Sequence, residues 1–162
     1  MVRNFLYLVI ILFLISSCSK EMTKNELENV KKAVVISQDV ISYVDIMTYY
    51  SNYHPELYME QLPYDLIMCN ANDAGACYNF YVNYIKIRNS GKFDKVSISK
   101  LDKPEQNLLL NILSKGAVLK DEYCRSYLYY YYKNGIAVKK DLSKADSLSK
   151  FFPEGYFDNV NL

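Results

Sequence analysis

Four cysteines, one histidine and the Ser-x-x-Lys tetrads at residues 97–100 and 147–150 are the groups in this 162-residue chain whose types and spacing bear on chemistry. His54 precedes Pro55 in a turn and has no nucleophile beside it in sequence. A structural zinc site needs paired Cys or His ligands at short spacing, and the lone His54 with Cys69 and Cys77 does not supply it. The tetrads Ser97-Ile98-Ser99-Lys100 and Ser147-Leu148-Ser149-Lys150 put a serine one helical turn before a lysine, an arrangement that can activate the hydroxyl. That chemistry also draws on a Lys-Thr-Gly segment, which this chain lacks, and a serine- and lysine-rich sequence produces the tetrad by chance. The expectation is a protein with no catalytic residues, no metal and no cofactor, so the remaining chemistry belongs to cysteine.

Cys18 closes a distinctive N-terminus, "MVRNFLYLVIILFLISSCSK". One positive charge, Arg3, precedes an apolar run from Phe5 to Ile15, and two small residues precede the cysteine, the layout of a secretory signal. The run falls short of the ~20 residues that span a bilayer. Ile15-Ser16-Ser17-Cys18 resembles a bacterial lipobox, which implies cleavage before Cys18 and lipid on its thiol. Residues 1–17 are then the signal peptide, and several acyl chains on one residue give durable anchoring. Ser19 stands where aspartate would resemble an inner-membrane retention signal, which favours the outer membrane, facing the periplasm. An ordinary cleaved signal and an uncleaved anchor are the alternatives.

In an oxidising compartment three thiols allow one internal bridge. Cys69 and Cys77 flank the turn-rich Asn-Asp-Ala-Gly of "CNANDAGAC", so they are the expected pair. Cys124 reads as a small buried residue rather than a nucleophile.

The elements that must carry these residues are all helical; no stretch alternates enough to build a sheet. Lys plus Arg at 19 against Asp plus Glu at 18 leaves +1, too little for a broad field toward nucleic acid. Thr23 and Glu26 form a capping box for a helix from Asn25 to about Ser51, with a break near Ser37 to Asp39 in a β-branched run. Pro63 is expected to open a helix reaching Met68. Asp73 caps one running to about Ile87 with Ala76, Phe80 and Tyr84 on one face. Asp102 and Glu105 start another, with Leu109, Ile112 and Leu113 as its stripe and Gly116 as its end. Lys120 to Asn134 follows, carrying Cys124, Leu128 and Tyr132, with Gly135 as stop. Asp141 caps the last helix, with Leu142, Ala145, Leu148 and Phe152 inward, and Pro153 closes it.

The segment "YYYYKNGIAVKKDLSKA" then reads as Gly-terminated helix, tight loop and Asp-capped helix. It resembles the Sel-one-like repeat, an αα-hairpin relative of the tetratricopeptide repeat. Leu128, Tyr132, Gly135, Val138, Asp141, Lys144 and Ala145 stand at that pattern's positions, while Tyr129 and Ala137 replace its glycines. Ala76, Phe80 and Tyr84 form a second, decayed copy 48 residues upstream. "CNANDAGACYNFYVNY" is similar to the cysteine-rich secreted branch, which also implies Cys69–Cys77. The resemblance implies two degenerate repeats over residues 69–155, after a tether at 18–24 and an N-terminal helical region at 25–68, with a tail at 156–162. It implies a scaffold that binds a protein or peptide of the cell envelope, of adaptor, immunity or exclusion type. A structural lipoprotein without a dedicated partner and a β-lactam-binding or hydrolysing relative are the alternatives. Tyr127, Tyr129, Tyr130 and Tyr131 are the candidate partner contacts, because four neighbouring residues span a helix's whole circumference and cannot all be core.

Overall fold

The computed structural model describes residues 21–159, so the signal segment and Cys18 lie outside the described residues. Within them the chain is all-α, with helices packed against one another and no strand. The starts follow side-chain capping, which satisfies backbone N–H groups that have no partner within the helix. Thr23 and Glu26 form the expected capping box of α1 (Lys24–Ser37). Gln38 then turns left-handed at φ 54°, and Asp39 caps α2 (Val40–Thr48). That is the break expected in the β-branched run.

A π-turn (Tyr49–Tyr53) and a 3-10 turn (Pro55–Leu57) lead into α3 (Tyr58–Asn70). Pro63 lies inside α3 instead of opening it, so the expected start is five residues late. Contacts from Tyr58 to the Lys86 carbonyl and from Tyr50 to Glu60 hold the earlier turn in place. The expected boundary between residues 68 and 69 therefore falls within one helix.

Asp73, Asp102, Asp121 and Asp141 cap α4 (Ala74–Arg88), α5 (Lys103–Val118), α6 (Glu122–Asn134) and α7 (Leu142–Ser149). A final turn, α8, covers Tyr156–Asn159. Lys120 is not helical; it is the left-handed residue, φ 73°, immediately before the Asp121 cap. Leu142 was expected inward but is 55% exposed, while Ala145 alone of that stripe is fully buried.

Two turns in this stack are copies of one another, 48 residues apart. Ala71-Asn72-Asp73 joins α3 to α4, and Leu119-Lys120-Asp121 joins α5 to α6. Asn72 and Lys120 are both left-handed, at φ 71° and 73°. Asp73 and Asp121 donate their backbone N–H to Met68 and Gly116, both at 3.0 Å. Their carboxylates accept from the amides of Ala76 and Cys124. Across the first turn Cys69 and Cys77 are disulfide-bonded. At the equivalent positions of the second, Arg125 Nε donates to the Ala117 carbonyl at 3.0 Å. One staple is covalent and the other is a hydrogen bond. The caps Asp102 and Asp141 lie only 39 residues apart, and the additional chain before Asp102 folds as a 3-10 turn, Lys95–Lys100, that buries Ile98.

Cys69 and Cys77 are both fully buried. Closing so short a loop restricts the unfolded chain by roughly 2–3 kcal/mol. The Cys69→Ala/Cys77→Ala variant should lose about that much in urea unfolding at equilibrium. An unchanged midpoint would show that packing alone sets the α3–α4 turn.

At the α6–α7 joint Gly135 takes φ 72°, and Ala137 takes φ 58° where the repeat pattern has glycine. The loop keeps the left-handed conformation although the residue has changed. An L-residue there carries a steric cost of about 1–2 kcal/mol. Ala137→Gly should therefore raise the stability by roughly 0.5–1 kcal/mol after the extra entropy of the unfolded glycine is subtracted. A thermal melt that moves down by a degree or more would contradict this.

Candidate functional site

A short helix with one buried face normally turns polar residues outward, and α2 does not. Its inward side carries Ser42, Tyr43 and Ile46, all buried. Its outward side carries Val40 at 55% exposure, Ile41 at 74% and Val44 at 52%, with a single charged residue, the exposed Asp45, among them. Val35 and Ile36, on the last turn of α1, are 56% and 82% exposed. Aliphatic residues on both faces of a helix mark one that is covered on more than one side. Here Val40, Ile41 and Val44 face solvent, and the end of the preceding helix adds Val35 and Ile36. Single exposed apolar residues are ordinary, but five within ten residues are a concentration that marks a candidate contact surface.

The patch rests on a rigid floor. Asp65 of α3 is fully buried and accepts hydrogen bonds from Tyr43 Oη at 2.8 Å, Gln61 Nε2 at 2.9 Å and Asn83 Nδ2 at 2.8 Å. Tyr43 in turn accepts from Asn79 Nδ2 at 3.2 Å. One carboxylate thus ties α2, α3 and α4 together. Burial pushes its pKa up to about 6, although the three donors pull the other way. Ionised Asp65 has only acceptor oxygens, and its three neighbours are donors, so the knot is complementary at neutral pH.

The four candidate tyrosines separate. Tyr131 is fully buried, its hydroxyl paired with that of Tyr81 and donating to the Lys95 carbonyl at 2.8 Å. Tyr127 is 8% exposed, with Tyr81, Phe93 and Tyr78 around it. Both are core, which corrects their assignment as contacts. Tyr129 is half-buried and stacked under Phe157 at 3.8 Å, and Tyr130 carries Lys95 Nζ over its ring at 4.4 Å. The exposed aromatic of α6 is Tyr123, 59% exposed and stacked on Tyr78 at 4.8 Å. The helix turns Tyr127 and Tyr131, four residues apart, inward, and a run of tyrosines hides which ones those are.

Chemistry-bearing residues are dispersed. His54 meets Glu21 at 2.8 Å and Glu56 at 3.3 Å, and the Glu21 hydrogen bond raises its pKa. Ser97 is buried and donates to Asp94 at 3.1 Å, and Ser147 donates to the Ser143 carbonyl. Cys124 is a free, buried thiol whose pKa burial pushes up, away from the reactive thiolate. No group of three metal-ligating side chains occurs among the described residues. An open cleft of about 660 Å³ lies at the α6–α7 joint, lined by Leu110, Tyr132, Lys139, Lys140 and Lys144 among others.

No family model, curated protein or solved structure matches the chain. The aliphatic patch was missed in sequence because its β-branched residues signalled a helix break. The available signal was that α2 has isoleucine or valine on both faces of a nine-residue helix.

Proposed function

We propose that this protein is a lipid-anchored helical-repeat module of the bacterial envelope that holds a protein partner against the aliphatic patch of α1 and α2. The observation that carries the reading is the outward exposure of Val35, Ile36, Val40, Ile41 and Val44 on a rigidly supported helix pair. An aliphatic surface in water is a standing cost that a partner's apolar surface removes, at roughly 25 cal/mol per Å². The anchor is Cys18, and the compartment is the periplasmic side of the outer membrane. The copied 48-residue turns and the left-handed Ala137 support the likeness to Sel-one-like repeats, as does the Cys69–Cys77 bridge. No described helix is long and apolar enough to cross a membrane.

Two experiments separate the parts. Labelled palmitate should enter the wild-type chain and not Cys18→Ser; equal labelling removes the anchor. After mild crosslinking in the native envelope, one dominant partner should co-purify with the wild type and be lost with Ile36→Ser/Ile41→Ser. Those two side chains are largely in water, so the fold should survive. A folded, membrane-bound protein with no partner in either sample would favour a purely structural lipoprotein.

A further inference from the structure

The helices alternate in direction, and side-chain contacts gather several connections at one end of the stack. Glu21 meets His54, which places the segment before α1 beside the α2–α3 turn. Tyr58 donates to the Lys86 carbonyl, which brings the start of α3 to the end of α4. Arg88 pairs with Glu105 at 2.9 Å, which brings in the start of α5. Tyr131 donates to the Lys95 carbonyl, so the later half of α6 reaches the same loop. The left-handed α1–α2 joint and the two copied turns occupy the opposite end.

The α4–α5 connection at the first of these ends is basic. From Lys86 to Glu105 there are six basic residues and three acidic ones. Asp94 and Asp102 are spent as helix caps, and Glu105 on Arg88 and Tyr84. The carboxylates of the α2–α3 turn are likewise engaged: Glu21 and Glu56 by His54, Glu60 by Tyr50 and Lys31. Lys92, Lys100, Lys139 and Lys140 are exposed and form no ion pair among the described residues. The cleft at the α6–α7 joint opens between Lys139, Lys140 and Lys144, the last also paired with Asp141 at 3.9 Å.

Cys18 precedes Glu21 by three residues, which limits their separation to about 10 Å of extended chain. We infer that this lysine-bearing end of the stack lies on an anionic phospholipid surface, with the α4–α5 loop and the α6–α7 joint against the headgroups. The orientation rests on the lipid anchor at Cys18, whereas the attraction of Lys92, Lys100, Lys139 and Lys140 to anionic headgroups does not. Clustered lysines near such a surface add attraction that decays within a Debye length and weakens with salt. In this arrangement α1 rises about 20 Å from the membrane and presents the aliphatic patch at its far end.

The first test uses the folded mature chain with Cys18→Ser and measures co-sedimentation with vesicles of phosphatidylcholine, with or without phosphatidylglycerol. Binding should require phosphatidylglycerol, fall with added salt, and drop at least about ten-fold in Lys92→Glu/Lys139→Glu. It should be unchanged in Lys120→Glu/Lys150→Glu, which reverses two exposed lysines away from that end. Equal loss in both variants, or no dependence on phosphatidylglycerol, overturns the inference. The second test uses the lipidated protein, which has no native tryptophan. A brominated lipid should quench Met59→Trp strongly and Ile36→Trp weakly; equal or reversed quenching also overturns it. Palmitate labelling reports separately on the anchor.

Discussion

Gly116→Ala should cost about 2 kcal/mol or more, although alanine is the better helix former by roughly 1 kcal/mol. Gly116 is buried in α5 where that helix passes between α4 and α6. A Cβ there would lie 2.4 Å from Cys124 Sγ and 3.1 Å from the Cβ atoms of Cys124 and Cys77. Cys77 cannot move aside readily because it is bonded to Cys69. The cause can be isolated by a double-mutant cycle. Cys124→Ala removes the closest atom, so Gly116→Ala/Cys124→Ala should be less damaged than the sum of the two single changes by at least about 1 kcal/mol. Strict additivity in urea unfolding would mean that the Cys124 thiol is not what limits the approach. The sequence suggested glycine as a helix end here, the commoner use of that residue. Its real role is to let three helices meet, and no spacing rule distinguishes the two.

Asp65 makes the wild type lose stability as the pH rises through the range where most carboxylates would add it. Its folded pKa of about 6 is raised above the ordinary value of 3.8, mainly by burial. The folded state therefore binds the proton more tightly. That contribution is complete below about pH 4 and is lost as pH rises through about 6. Two pK units correspond to about 3 kcal/mol, an order-of-magnitude figure. Other carboxylates act oppositely; Asp39, for instance, is lowered by accepting hydrogen bonds from Ser42. The clean measurement is thus the difference between the wild type and Asp65→Asn, followed by denaturant unfolding from pH 4 to pH 7. Relative to the variant, the wild type should weaken by about 3 kcal/mol across that window. A flat difference would show that Asp65 is not strained by its burial. At neutral pH, Asp65→Leu should still lose about 3 kcal/mol, because the Tyr43, Gln61 and Asn83 donors would be left without an acceptor.

Local signals in the sequence placed most of the helices. The caps at Thr23, Asp73, Asp102 and Asp141 are short-range chemistry and are visible one residue at a time. Cys69 and Cys77 were legible because a turn between them leaves little choice of partner. Asp121 was overlooked beside Lys120, whose left-handed backbone has no sequence mark comparable to Asn72. The polar knot around Asp65 joins residues up to 40 positions apart, so nothing local announces it. The apolar patch failed for a different reason. Apolar periodicity shows which residues can be buried, but α2 has apolar residues on both faces, and only packing decides which face is covered. The tyrosines of α6 present the same ambiguity: Tyr127 and Tyr131 went inside, while Tyr123, outside the run, stayed in water.

The most direct test of the binding reading is site-specific photocrosslinking in the native envelope, with the reactive side chain placed in turn at Ile36, Ile41 and Leu142. All three residues are more than half exposed, at 82%, 74% and 55%, but only the first two belong to the aliphatic patch. The account predicts one discrete adduct, of the same mass, from positions 36 and 41 and none from position 142. No adduct from the patch, or the same ladder of adducts from all three positions, would contradict it.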